Sequence, residues 1–259
     1  MSILTGKRLL VTGVVTTDSI AFATAEAAQR LGAELVLTTF ERDRARTEEA
    51  AAALVDPVPL LELDATDDAH VARVGDELAA RWGRLDGALH AVAFAPRDAL
   101  AGAFLDAEVE SVQRAFATST CSYAALARLL ARLAPPGGGS LVGLDFDASG
   151  AWPVYNWMGV CKAALEAVSR YVARDLGPRG IRSNLVAAGP LHTRAAGGIP
   201  EFERLTGAWA ARSPLPWDDG DASPVADAVC FLLSDLSRAI TGEILHVDGG
   251  YHAMAAPLR

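Results

Sequence analysis

The sequence is poor in the residues that mark several classes of protein. It has three cysteines in 259 residues, Cys121, Cys161 and Cys230, and none belongs to a CxxC motif. A disulfide framework is therefore not expected, and we interpret all three as half-buried core thiols. The five histidines are scattered without an HxxxH or HExxH pair. No metal site is predicted from this spacing.

Basic residues and long apolar runs are also scarce. Lys and Arg number 23 against 32 Asp and Glu, which gives a formal net charge of −9. A chain this acidic has no general attraction to phosphate backbones or anionic lipids, so neither nucleic acid nor membrane is an expected partner. No uncharged apolar stretch approaches the roughly 20 residues that cross a bilayer, and the first residues show no signal-peptide pattern. These features favour a soluble, cytoplasmic protein.

What the sequence does contain is a regular alternation of short apolar runs and helical patterns. The apolar runs predict seven strands, over residues 7–13, 34–40, 58–64, 85–94, 140–146, 181–189 and 243–250. Helical patterns lie between them, over residues 19–31, 42–54, 68–82, 109–133 and 154–176. Strands that are apolar on both faces and alternate with helices form a parallel sheet covered on both sides. We therefore predict one Rossmann-like, doubly wound α/β domain over residues 1–259.

One long stretch, about residues 190–221, fits neither pattern. A loop of this length inside a compact domain is usually functional, most often as a lid or a binding loop. We therefore predict a substrate-binding lid in this stretch. Ligands in doubly wound sheets bind at the carboxyl ends of the strands, so the strand ends are where candidate site residues are sought.

The ends of the first three predicted strands carry candidate nucleotide contacts. Gly13 follows the first strand and Ser19 stands where the next helix begins, as in a turn that holds a pyrophosphate against a helix N-terminus. The usual GxGxxG is absent, so an ordinary strand–helix turn explains Gly13 about as well. Phe40, at the end of the second strand, is either an adenine-stacking ring or a core aromatic. Asp64, at the end of the third, is either an adenine contact or a solvated carboxylate.

The order of residues after the second strand bears on the kind of dinucleotide. A 2′-phosphate needs a dedicated arginine or lysine at this strand end. Here Phe40 and Glu41 come first, and Arg42 and Arg44 follow them. This order favours NADH over NADPH.

The sharpest local pattern is the pair Tyr155 and Lys162. In a helix, a step of seven residues returns to nearly the same face, so the two side chains are expected to point into one cleft. A lysine ammonium near a phenol favours the phenolate-like character that a proton donor needs. The alternative is a core tyrosine with a snorkelling lysine.

Taken together, these residues resemble the divergent branch of the short-chain dehydrogenase/reductase superfamily, specifically the bacterial NADH-dependent enoyl-acyl-carrier-protein reductases. The resemblance is carried by GKRLLVTGVVTTDSIAF, LLELD, FAPRDAL, GLDFDASGAWPVYNWMGVCKAALE, RSNLVAAGPLHT and TGEILHVDGG. Ordinary members of the superfamily place three residues between tyrosine and lysine and a serine about thirteen residues before the tyrosine. Here six residues separate Tyr155 from Lys162, and Val142 stands at the serine position. These differences separate enoyl reductases from carbonyl reductases.

The resemblance implies NADH-dependent reduction of trans-2-enoyl thioesters, carried on acyl-carrier protein, in type II fatty-acid synthesis by a homotetramer. Tyr155 would hold the thioester carbonyl oxygen, Lys162 would bind the nicotinamide ribose, and Phe146 would lie near the nicotinamide. Implied cofactor contacts are Gly13, Ser19, Ile20, Phe40, Asp64, Ala65, Val92, Ala93, Lys162, Gly189, Pro190, Leu191 and Thr193. Implied substrate contacts are Ala95 and Tyr155.

Two positions depart from the family pattern. Ala91 and Ala93 stand where members usually carry serine and glycine, so one hydroxyl is lost near the cofactor and one methyl is gained at the pocket. One interpretation is an ordinary enoyl reductase with a slightly tightened pocket. The others are a pathway-specific enoyl or carbonyl reductase of specialised metabolism and a non-catalytic dinucleotide-binding paralogue.

Overall fold

Seven parallel strands form one sheet in the computed structural model, which describes residues 2–256. The strands are β1 (Arg8–Val11), β2 (Glu34–Thr39), β3 (Leu60–Glu62), β4 (Gly87–His90), β5 (Gly139–Asp145), β6 (Ile181–Ala188) and β7 (Ile244–Val247). They lie in the order β3-β2-β1-β4-β5-β6-β7, and every neighbouring pair is parallel. The predicted fold class and all seven predicted strands are confirmed.

Helices cover both faces of the sheet. They are α1 (Ile20–Arg30), α2 (Arg44–Ala51), α3 (Asp68–Trp82), α4 (Arg97–Leu100), α5 (Val109–Phe116), α6 (Ser122–Leu133), α7 (Asn156–Leu176), α8 (Glu203–Arg212) and α9 (Ser223–Leu233). α1 and α9 pack together over one apolar core, and α3, α6 and α7 cover a second core on the other face. Within residues 2–256, no helix has both the length and the apolar character that crossing a membrane requires.

The predicted helix over residues 109–133 is interrupted. A π-helical turn, Ala117–Cys121, separates α5 from α6. Its hydroxyl side chains bond to groups outside the helix: Ser119 Oγ bonds to the backbone of Phe94, and Thr120 Oγ1 donates to the Cys161 carbonyl oxygen at 2.9 Å. Hydrogen bonds from side chains to groups outside the helix often accompany a π-helical turn, in which the helix is locally wider. An apolar periodicity alone could not predict it.

The expectation that residues 190–221 form one irregular loop is wrong. A short 3-10 turn, Ala196–Gly198, and the ten-residue helix α8 lie within it. α8 buries Leu205 and Trp209. The helix α9, which follows this stretch, was also not predicted. Its start carries Pro224, and a proline in the first turn followed by an apolar run is a helix signal.

The ends of β1 and β4 meet at the point where the strand order reverses. Thr12 Oγ1 donates to the Leu89 carbonyl oxygen at 2.9 Å and accepts from the Ala91 amide at 3.0 Å. Gly13 follows with φ of +83°, and a Cβ there would collide with the Ala91 carbonyl oxygen. Glycine is therefore required at this turn by the close approach of the two chains. In a doubly wound sheet, the crevice at this reversal is the usual ligand site.

Gly13→Ala should destabilise the protein by about 2–5 kcal/mol. This range is the sum of two costs, the strain of a left-handed backbone at alanine and the overpacking of its methyl against Ala91. Gly6 provides a matched control, because it has φ of +75° and no atom within 4 Å of an added Cβ. Gly6→Ala should therefore cost only about 1–2 kcal/mol. Urea denaturation of both variants measures the difference. Equal losses of unfolding free energy would show that the contact with Ala91 is not a constraint.

Candidate active site

The carboxyl edge of the sheet brings most of the predicted site residues to one side of the molecule. Gly13 follows β1, Phe40 follows β2, and Phe146 follows β5, while Gly189 follows β6. Since all strands are parallel, these four positions line the same edge. The edge is where a dinucleotide would lie in this fold.

The N-terminus of α1 opens onto this edge. Ser19 is the N-cap residue: its Oγ accepts from the Phe22 amide at 3.1 Å and donates to the Thr16 carbonyl oxygen at 2.8 Å. Ile20 is the first residue of the helix. A capped helix N-terminus beside a glycine turn provides amide donors and a favourable dipole for a pyrophosphate.

The arginines after β2 are engaged by carboxylates. Arg44 Nε lies 3.1 Å from Glu41 Oε2 and its Nη1 lies 3.7 Å from Glu48, so its charge is shared between two acids. Arg42 stacks over the Phe40 ring at 4.9 Å and lies 3.4 Å from Asp43. The strand end that would meet the adenosine ribose therefore presents an aromatic ring and two arginines whose charges are balanced by neighbouring carboxylates.

The residues after β3 form a small turn. Asp64 Oδ1 accepts from the amide of Thr66 at 2.9 Å and from its hydroxyl at 2.6 Å, and the Asp64 amide donates to His70 Nδ1 at 3.3 Å. Ala65 is buried. The carboxylate is therefore held by its own turn.

The segment after β4 carries the two alanines that depart from the family pattern. Ala91 is half-buried against Gly13, whereas Ala93 is exposed. Val92 is half-buried between them, and Ala95 is buried against the apolar cluster that contains Tyr155. Ala93 is therefore accessible at the edge of the sheet.

Polar groups are buried directly beneath this edge. His90 Nε2 lies 2.7 Å from Ser122 Oγ, and burial lowers the pKa of His90 to about 3, with a smaller contribution from the Lys162 charge. Burial raises the pKa of Asp145 to about 7, although Lys162 partly opposes that rise. Lys162 is 6% exposed, and its Nζ donates to the Leu144 carbonyl oxygen at 2.7 Å. Burial lowers the pKa of Lys162.

Tyr155 occupies a strained start of α7. It is the N-cap residue rather than part of the helix, and its neighbours Val154 and Asn156 have φ of 61° and 36°. Left-handed backbone is costly for any residue with a Cβ and rare for a β-branched one, and such strain is found mostly at functional sites. Tyr155 lies against Phe146, with ring centroids 5.0 Å apart.

The electrostatics of Tyr155 differ from the expectation. Burial raises the pKa of its phenol above the ordinary value, and the nearby Asp145 and Cys161 raise it further. The predicted lowering of this pKa by Lys162 is therefore wrong for this structure. Burial keeps the phenol neutral, and the Lys162 ammonium donates to the Leu144 carbonyl oxygen.

The turn after β6 is backed by two indoles. A Cβ on Gly189 would lie 2.7 Å from the Trp217 ring and 2.8 Å from Trp209 Nε1. Trp217 Nε1 donates to the Pro190 carbonyl oxygen at 2.8 Å. Leu191 is buried, and Thr193 Oγ1 accepts from the Ala196 amide at 3.2 Å. The predicted cofactor turn is therefore packed firmly against the segment that contains α8.

A cluster of five aromatic rings, which was not predicted, extends from Tyr155. Its members, which we call the five-ring cluster, are Phe146, Trp152, Tyr155, Trp209 and Tyr251. Trp209 and Tyr251 are stacked with centroids 3.8 Å apart, and Trp152 lies 5.2 Å from both Phe146 and Trp209. The position of Trp152, three residues before Tyr155, is the one signal that could have indicated it.

The cysteines and histidines do not form a metal centre among residues 2–256, where no group of three or more His, Cys, Asp or Glu side chains could hold an ion. Cys161 and Cys230 are buried, but Cys121 is exposed, so the expectation of three half-buried thiols is wrong. Cys121 ends the π-helical turn, and this turn directs its side chain away from the core.

Comparison with known proteins agrees with this geometry. The family model described as enoyl-(acyl carrier protein) reductase matches residues 13–252. The enoyl-acyl-carrier-protein reductase (NADH) of Mycolicibacterium smegmatis is 44% identical, over 96% of this chain and 97% of its own. The protein of the same name from Escherichia coli is 39% identical over 98% and 97%, and that of Neisseria meningitidis is 40% identical over 97% of each.

The buried Asp145 carboxyl should give a distinctive pH dependence of stability. Its folded pKa of about 7 exceeds the ordinary 3.8, so the folded state binds the proton more tightly and its stability falls as pH rises from about 4 to 7. Asp145→Asn should remove this slope, and at pH 8 it should be the more stable protein by on the order of 2–4 kcal/mol.

Urea denaturation at pH 4.5 to 8 measures this difference. His90 is present in both proteins, so its own titration cancels in the comparison. Asp106→Asn, which changes an exposed carboxylate, should retain the wild-type slope. A parallel pH dependence in wild type and Asp145→Asn would contradict the assignment.

Proposed function

The chain belongs to the enoyl-(acyl carrier protein) reductase family, and from this premise we propose that it is an NADH-dependent reductase of trans-2-enoyl thioesters in type II fatty-acid synthesis. The observation that carries the proposal is the contact of Tyr155 with Phe146 at the carboxyl edge of the sheet, with Lys162 buried on the helix that Tyr155 caps. Identity over nearly the full length of the relatives supports the same activity.

The cofactor is NADH, as the names of the relatives state for those proteins. NADH supplies the hydride that is added to the β-carbon of the enoyl thioester. The residues proposed to hold it line the edge described above: Gly13, Ser19, Ile20, Phe40, Asp64, Ala65, Val92, Ala93, Lys162, Gly189, Pro190, Leu191 and Thr193. The glycine turn beside the capped helix N-terminus fits a pyrophosphate.

The preference for NADH over NADPH has a local explanation. Arg42 and Arg44 are the cations available to a 2′-phosphate, and both are occupied by carboxylates of the same segment. A phosphate would have to compete with Glu41, Asp43 and Glu48 and would be repelled by them. A ribose hydroxyl meets no such repulsion.

Tyr155 is proposed to donate its phenolic hydrogen to the thioester carbonyl oxygen. A neutral phenol with a raised pKa is a donor, and its hydrogen bond strengthens as negative charge develops on that oxygen. Phe146 packs against the ring and holds its orientation. Lys162, anchored by the Leu144 carbonyl oxygen, is proposed to bind the nicotinamide ribose with its remaining N–H groups.

The substrate side is proposed to be a lid formed by residues 190–221 within one domain of residues 1–259. α8 lies in this segment, and its buried Leu205 and Trp209 join the apolar cluster that includes Ala95 and Tyr155. A covered apolar site excludes water from the developing charge. Ala95 and Tyr155 are the proposed substrate contacts.

The acyl group is proposed to arrive on acyl-carrier protein, in the cytoplasm, at a homotetramer. Large apolar side chains are exposed on two neighbouring helices, with Val109 of α5 64% and Val160 of α7 40% exposed. Leu105, just before α5, is 87% exposed. An exposed apolar surface of this kind supports contact with further copies of the chain.

Two substrates distinguish the proposed reaction from its alternatives. The enzyme should oxidise NADH with a trans-2-enoyl thioester and leave it unconsumed with a β-ketoacyl thioester. NADPH should give at least a tenfold lower kcat/KM. Oxidation with the ketoacyl substrate alone would indicate a carbonyl reductase, and oxidation with neither would indicate a non-catalytic paralogue.

Two variants separate the proposed roles of Tyr155 and Lys162. Tyr155→Phe should lower kcat by roughly 100-fold, because the lost hydrogen bond strengthens in the transition state. Lys162→Ala should raise the Kd of NADH roughly tenfold or more, because a charged donor is lost from the bound complex.

Steady-state kinetics measures the kcat of Tyr155→Phe, and a fluorescence titration measures the Kd of NADH for Lys162→Ala. Lys7→Ala is the matched control, since Lys7 lies at the amino end of β1 and pairs with Asp235. It should bind NADH normally. Normal NADH binding by Lys162→Ala would refute the role given to Lys162.

A further inference from the structure

Trp152 is the member of the five-ring cluster that keeps surface for a ligand. Phe146 and Tyr155 are each 8% exposed, Tyr251 is 6% and Trp209 is 2% exposed, whereas Trp152 is half-buried. Phe146, Trp209 and Tyr251 lie 5.2, 5.2 and 5.6 Å from Trp152 between ring centroids. The indole is therefore backed by three rings and retains accessible surface.

The polar group of this indole is already used within the protein. Trp152 Nε1 donates to the Asp147 carbonyl oxygen, and Trp209 Nε1 donates to the Asp248 carbonyl oxygen at 3.1 Å. Neither N–H is available to a substrate. What Trp152 offers a neighbouring group is the π-surface and edge of its ring.

The backbone around Trp152 holds the ring in place relative to Tyr155. Trp152 precedes Pro153, which restricts its backbone to extended conformations. Val154 has φ of 61° and Asn156 has φ of 36°, so the chain turns sharply at Tyr155. Asn156 is tied at this turn, because its Nδ2 donates to the Gly102 carbonyl oxygen at 3.1 Å. Trp152 and Tyr155 both pack on Phe146, at 5.2 and 5.0 Å between ring centroids, so the indole stands at a set position relative to the proposed proton donor.

We propose that Trp152 is a specificity-determining residue, and that it favours enoyl thioesters whose β-carbon carries a planar aryl group over those with a flexible alkyl chain. This inference rests on the function proposed above. An aryl group gains offset or edge-to-face contact with the indole in addition to apolar burial, whereas an alkyl chain gains only burial.

The preference for an aryl group can be measured as a binding affinity with two saturated thioesters of equal carbon number. Because they have no double bond to reduce, their binding does not depend on the chemical step. The 3-phenylpropanoyl and nonanoyl thioesters of N-acetylcysteamine each carry a nine-carbon acyl group. Calorimetric titration of the protein saturated with NAD⁺ should give about fivefold tighter binding of the phenyl compound, the order expected from one aromatic contact. Equal binding, tighter binding of the nonanoyl compound, or binding of neither would overturn the proposal.

Variants of Trp152 test whether this ring causes the preference. Trp152→Phe keeps an aromatic surface and should retain most of the preference, whereas Trp152→Leu should bring the two affinities within about twofold of each other. Trp82→Leu is the matched control, because Trp82 is also half-buried but lies at the end of α3 and packs against a separate core. If Trp152→Leu retains the fivefold preference, or if the Trp82 control loses it, Trp152 is not the determinant.

Turnover of the corresponding trans-cinnamoyl and trans-2-nonenoyl thioesters separates this inference from the proposed function. If neither thioester oxidises NADH, the proposed reduction is contradicted, while the binding ratio still decides the role of Trp152. If both are reduced but the saturated pair binds equally, the reductase stands and the specificity proposal is overturned.

Discussion

The constraint on which the candidate site depends is the contact between the ends of β1 and β4. Thr12 bridges the two strands through its hydroxyl, and Gly13 allows the chain to pass against the Ala91 carbonyl oxygen. Chains that leave these two strands go to opposite faces of the sheet, so a crevice opens where they part. Because the two ends are pinned together, the N-terminus of α1 and the segment after β4 keep a set separation. The proposed cofactor contacts lie on both sides of that crevice, from the end of β3 to the end of β6.

The polar residues beneath this edge limit how the site can move. His90 and Lys162 are buried, and each makes a hydrogen bond of 2.7 Å. A buried polar group that loses its partner is costly, so such bonds hold the surrounding elements together. Ser122 and Leu144, the two partners, belong to α6 and β5. These bonds therefore tie α6 to β4 and α7 to β5 beneath the edge.

The fold was predictable from the sequence because its signals are local and repeated. Strands apolar on both faces alternate with amphipathic helices, and this pattern leads to a parallel sheet without any long-range information. Tyr155 and Lys162 were found from their spacing within one segment. The five-ring cluster was not, because Phe146, Trp209 and Tyr251 are far apart in the chain and meet only after folding. The burial of Asp145 likewise depends on neighbours that no local pattern reveals.

The π-helical turn Ala117–Cys121 changes the rotational phase of the chain. A regular α-helix advances 100° per residue, and one additional residue in a turn offsets everything after it by about that angle. α5 can therefore turn Val109 and Phe116 outward while α6 buries Tyr123, Leu126 and Leu130. If residues 109–133 formed one regular α-helix instead, these five side chains would lie on one apolar stripe. That stripe could not face both solvent and core, so the length of this turn, as much as its composition, keeps two apolar surfaces separate.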